Sequence, residues 1–161
     1  MSTERLIPRF IKKPWGVEAL PHWLLPVSGG GRIGEVWYDK SWPDGRKADL
    51  LVKYLLTSER LSIQVHPDDD YSAAHENDAG KTEIWFVLEA EPDARIIYGL
   101  KEPLDREGFS RAIGEGRIEE CLRYVNVRKG DMIYIPAGTI HAAGKGILIA
   151  EIQQSSNATY R

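Results

Sequence analysis

The chain has 161 residues, a formal net charge of −3 and 42% hydrophobic residues, enough for one well-buried core and too short for two ordinary ones. No block of like charge exceeds Asp68-Asp69-Asp70, which argues against a nucleic acid or a membrane as partner. A single cysteine, Cys121, excludes an internal disulfide, and no apolar run approaches the roughly 18 residues of a spanning helix. Since Met1-Ser2-Thr3-Glu4-Arg5 also lacks the apolar run of a signal peptide, a soluble, cytoplasmic protein is expected.

Residues 1–33 are rich in Pro, Trp and Gly. Lys13-Pro14-Trp15-Gly16 and Gly29-Gly30-Gly31 predict extended or turning backbone rather than regular elements, so this stretch reads as an N-terminal arm packed on a single domain, 34–161. Short strands are predicted over 34–38, 50–56, 62–66, 83–88, 94–98, 124–127, 131–135 and 147–153, separated by turn residues. Such spacing indicates a mainly β fold, a sandwich or barrel. Helical insertions are predicted at 68–77, after Pro67 and behind three acids, and at 104–123, where Gly114 and Gly116 split a cap on the barrel.

In Leu61-Ser62-Ile63-Gln64-Val65-His66-Pro67, residues two apart share a strand face, which groups Ser62, Gln64 and His66. A Gln-x-His pair alone is more often hydrogen-bonded or solvated than metal-bound. Gly130-Asp131-Met132-Ile133-Tyr134-Ile135-Pro136-Ala137-Gly138-Thr139-Ile140-His141 adds a histidine on a tight turn after an apolar strand, and Glu83 opens another strand just behind Gly80-Lys81-Thr82. Two imidazoles, a carboxylate and an amide suit zinc or another first-row divalent ion better than calcium or magnesium. With no cysteine among these ligands, an open catalytic site is the more economical reading. His22 and His75 are read as surface residues. Glu151, inside Ile147-Leu148-Ile149-Ala150-Glu151-Ile152, is an interior carboxylate that needs a partner or a metal to offset its desolvation.

The hairpin matches the second sequence motif of the cupin barrels up to its histidine, without the asparagine expected shortly afterwards. Four segments in order, 61–69, Gly80-Lys81-Thr82-Glu83, 135–142 and 153–161, together with Lys13-Pro14-Trp15-Gly16, resemble the type I mannose-6-phosphate isomerases. The resemblance implies a cupin-type β-barrel or jelly roll and a zinc-dependent, reversible conversion of mannose 6-phosphate to fructose 6-phosphate through a cis-enediol. It assigns one Zn²⁺ per chain to Gln64, His66, Glu83 and His141, and places Lys81, Glu151 and Arg161 at the active site. Ser62, on the ligand face, and Lys53 are the choices for holding the sugar phosphate. Members of that family continue beyond the position of Arg161, so the alternative is a truncated or catalytically silent metal-cupin module that binds sugar phosphate. Pairing into a homodimer would protect strand edges left exposed by a shortened barrel.

Overall fold

The computed structural model describes residues 4–24, 30–41 and 47–161. Among these, nine strands form two antiparallel sheets: β1 (Arg9–Val17), β2 (Ile33–Tyr38), β3 (Leu50–Thr57), β4 (Glu83–Ala90), β5 (Arg95–Leu100), β6 (Leu122–Asn126), β7 (Met132–Ile135), β8 (His141–Ala143) and β9 (Ile147–Gln154). Six follow the order β1-β2-β3-β9-β4-β7, and three the order β6-β5-β8. The mainly β architecture with short helices is the one the strand spacing predicts.

The period-two alternation of β3, β4 and β9 decides what lies between the sheets. Leu55, Val87 and Ile149 face inward at one end and pack with Ile96 and Ala143 of the smaller sheet. Toward the other end the inward residues become polar. Lys53 lies opposite Glu151, Glu151 opposite Trp85, and Gln153 opposite Glu83. The same register that builds an apolar floor therefore builds a polar mouth, and β9 in mid-sheet carries both.

The N-terminal segment is not wholly irregular. β1 joins the sheet along β2, with register shifts between Ile11 and Lys12 and between Lys12 and Val17, around Pro14. At an edge, a proline removes no ladder bond the sheet depends on, which is why Pro and Trp here did not read as strand. Beyond it, Leu20 and the turn His22–Leu24 cover one end of the outer face, packing on Val36, Leu56 and Leu148.

Residues 62–66 form no regular strand. They make isolated bridges, Gln64 to His141 on one side and Val65 to Tyr160 on the other. Conversely, β8 has only three residues, too few for alternation to show in sequence. The helices are shorter than predicted. α1 (Asp69–His75) is capped by the Asp68 carboxylate, which accepts from the Tyr71 N–H at 2.8 Å. The second insertion divides into α2 (Arg106–Gly114) and α3 (Ile118–Cys121) at Gly116, whose φ of 68° ends the helix as expected.

Candidate metal centre and active site

His66, Glu83 and His141 come from three separate segments and are all buried; one ligand atom from each lies within 4.8 Å of the others. β4 places Glu83 at its first residue, and β8 starts on His141. The turn before β8 depends on Gly138, which sits at a φ of 84° that a side chain would strain, while its N–H donates to the His66 carbonyl at 2.7 Å.

Both imidazoles are oriented by the backbone. His66 Nδ1 is 3.0 Å from the Ala158 carbonyl and His141 Nδ1 is 2.8 Å from the Thr139 carbonyl. A carbonyl only accepts, so each Nδ1 carries a hydrogen, and in the neutral form of either ring Nε2 is then a bare lone pair. Those two Nε2 atoms face the two oxygens of Glu83, at 3.2 Å for His66 and 3.6 Å for His141. Lone pairs aimed at a carboxylate make no hydrogen bond, and His66 Nε2 is accordingly a buried atom with no partner. A cation between them resolves the conflict, so the donor set fits a divalent metal ion. The Gln64 carboxamide lies 3.4 Å from His141 Nε2, and a half-turn of the amide presents its oxygen to the same point.

The electrostatics agree. Burial pushes the Glu83 carboxyl up, but a hydrogen bond from His66 when its Nε2 carries a proton, the Lys81 ammonium and positive charge on the imidazoles hold it down at about 2, so the position favours the positive charge that a metal would also supply. Burial lowers His141 to about 4 against the pull of Glu83, so its ring is neutral at neutral pH. Lys81 Nζ stands 3.3 Å from Glu83 Oε1; burial lowers its pKa and Glu83 opposes the shift. Glu151 is pushed up, first by burial and then by the neighbouring Glu83. Its Oε1 is 3.1 Å from Lys53 Nζ, an ion pair without a well-directed hydrogen bond, and Lys53 also donates to Gln153.

Lys53, Gln64, Lys81, Glu83 and Glu151 line a pocket of about 220 Å³ with Ser62 and Arg161, and His66 and His141 lie beside it against Glu83. Arg161 Nε donates to Ser62 Oγ at 3.1 Å. All nine residues singled out in the sequence thus converge on one region. Lys53 lines the pocket while paired with Glu151. A broader groove of about 750 Å³, along the small sheet, holds the Arg60–Glu119 ion pair but none of this buried donor set.

Lys13, Glu35 and Trp37 also line the pocket, and Trp85 is buried beneath it; no local sequence motif marks the four as a group. Glu35 accepts from Trp37 Nε1 at 2.5 Å and pairs with Lys13 at 3.1 Å. Trp85 Nε1 bridges the two buried carboxylates, 3.0 Å from Glu83 Oε2 and 3.1 Å from Glu151 Oε2. The signal for Glu35 was present: Ile33-Gly34-Glu35-Val36-Trp37-Tyr38 puts an acid on the same strand face as Trp37, as the arrangement around Glu151 does.

No protein-family model matches the chain. Among curated proteins, it is 42% identical over 156 residues to the probable mannose-6-phosphate isomerase GmuF of Bacillus subtilis, covering 91% of this chain and 49% of that one. It is 40% identical over 156 residues, with the same coverage, to the mannose-6-phosphate isomerase of Streptococcus mutans. The crystal structure of the mannose 6-phosphate isomerase from Bacillus subtilis superposes with a TM-score of 0.88 at 33% identity, over 97% of this chain and 59% of that one. The chain is similar to mannose-6-phosphate isomerases over nine-tenths of its length. It spans about half the length of the curated relatives it matches. The two sheets match the cupin fold of that crystal structure, and the pocket lies on the inner face of the larger one, closed by residues 61–64 and 157–161. No described helix is long and apolar enough to cross a membrane.

Proposed function

We propose that this chain carries the active site of a zinc-dependent isomerase interconverting mannose 6-phosphate and fructose 6-phosphate, one ion per chain, with Gln64, His66, Glu83 and His141 as ligands. The strongest support is the pair of buried imidazoles whose Nδ1 hydrogens are committed to backbone carbonyls while both Nε2 atoms face one carboxylate. Bound there, the divalent ion would act as a Lewis acid toward the sugar oxygens at C1 and C2.

The remaining chemistry belongs to the pocket's own side chains. The C2 proton of the open-chain aldose is removed as the C1 carbonyl oxygen gains one, giving a cis-enediol. Return of a proton to C1 and loss of the O2 proton leave the ketose, so nothing is gained or lost overall. Lys81 and Glu151 are the bases for these transfers. Burial lowers the first and raises the second, moving both toward the neutral range where a group can take and return a proton. The Arg161 guanidinium stays protonated and stabilises negative charge developing on the sugar oxygens. Ser62 offers a hydroxyl to the phosphate, and Lys53 holds Glu151 in place.

The test is conversion of mannose 6-phosphate by the 161-residue protein loaded with zinc, beside a chelator-treated sample. Chelator-sensitive turnover is expected. Tight zinc binding without turnover would overturn the enzymatic reading in favour of an inert sugar-phosphate-binding module.

A further inference from the structure

The six-stranded sheet carries apolar residues on its outer face as well as in its core. Inward residues form the core and the pocket, yet the outward positions of β3, β9, β4 and β7 are apolar as well. Val52 pairs with Ile152, Ile152 with Ile84, and Ile84 with Tyr134, giving one unbroken row across four strands. Leu50 and Met132 extend the patch beyond the row. Met132 is 70% exposed, Tyr134 58% and Leu50 55%. An antiparallel sheet with one face in water alternates apolar with polar residues, whereas near-continuous apolar strands belong to sheets covered on both sides.

At one end the cover is supplied internally, where Leu20 and Leu24 lie over Leu56 and Leu148. The other end has no such cover among the described residues. The six residues named leave on the order of 500 Å² of side-chain surface in water, near the top of the ~300–600 Å² seen for the largest patch on a monomer. With a polar rim, such a patch approaches the ~800 Å² per partner of a standard interface.

We infer that this outer sheet face is an interface between two copies of the chain, related by a two-fold axis. Its composition favours a copy of itself over a charged partner. None of the six residues carries charge, so the face meets its own image without like-charge repulsion and without desolvating an ion. The side chains stand on paired strands and need little ordering on association.

Sedimentation or light scattering of the 161-residue chain should give a dimer, twice 18.2 kDa, and its thermal midpoint should rise with protein concentration. Met132→Lys with Tyr134→Lys should yield a monomer with the parent's circular dichroism. Ile113→Lys, at an exposed position on α2 away from this sheet, should remain dimeric. If the double variant does not fold, Leu50→Glu at the opposite side of the patch gives the same reading. A parent that is monomeric at about 100 μM, a dimer that both outer-face variants preserve, or association that Ile113→Lys also abolishes would each overturn the inference.

Discussion

The indole N–H of Trp85 is aimed at Glu83 Oε2 from 3.0 Å, on the far side of the carboxylate from His66. The same hydrogen lies 3.1 Å from Glu151 Oε2, so one buried donor orients a metal-ligating candidate and an acid of the pocket together. Partners of this kind fix the angle at which a ligand meets its metal and typically account for about 10–100-fold in affinity. Trp85→Phe keeps an aromatic ring in the core but removes the donor. Zinc affinity, read by chelator competition, should fall by about that factor while the fold persists. An unchanged affinity would show that the indole does not orient Glu83.

The buried imidazole sets an acid limit on the metal-free protein. His141 falls from 6.5 to about 4, through burial and against the attraction of Glu83. Between those values the unfolded chain binds more protons than the folded one. The stabilisation is therefore complete above about pH 6.5 and is lost as pH falls through 4, a span worth about 3 kcal/mol. Glu83, held at about 2, adds a second loss below its ordinary 4.5. Urea denaturation at pH 7, 5.5 and 4 should show this slope, and His141→Gln should flatten its upper part. Constant stability from pH 7 to 4 would contradict the burial of a neutral ring.

Lys53 and Glu151 face each other across β3 and β9, both nearly out of water. Removing one member of such a pair strands the other, which costs about 3–5 kcal/mol, although the intact pair is no guarantee of net stabilisation. Lys53→Met should therefore destabilise strongly, and adding Glu151→Gln should recover much of the loss. Denaturant titration of the four combinations measures the coupling. If the double variant is as unstable as Lys53→Met, the lysine acts through packing on Trp37, over whose ring its ammonium sits at 4.7 Å, rather than through Glu151.

How far the sequence exposed the site depended on whether a local pattern encoded it. Glu83, Glu151 and the strands that carry them lie in long alternating runs, and the structure keeps them in place. His66 and His141 were legible through Pro67 and the Pro136–Gly138 turn. What escaped was the product of register between distant strands. Nothing near Trp85 says that its indole N–H meets Glu151, 66 positions away. Nor does the 62–66 segment reveal that it is held by bridges to His141 and Tyr160 rather than by a regular ladder. No alternation announces the three-residue strand that His141 opens.

The final residues act as a strap on the ligand-bearing segment. Val65 and Tyr160 exchange both backbone hydrogen bonds at 3.0 Å, and the Ala158 carbonyl accepts from His66 Nδ1. Arg161 then closes over Ser62. Two separable effects follow. Arg161→Ala removes an exposed side chain and should leave stability within about 0.5 kcal/mol, while turnover falls about 10²–10³-fold if the guanidinium stabilises developing charge. Deleting 158–161 also removes the carbonyl that fixes the His66 ring, so zinc affinity should drop as well. Metal titration of both variants distinguishes the two roles: equal zinc affinity in the point variant and the deletion would show that the strap does not orient His66.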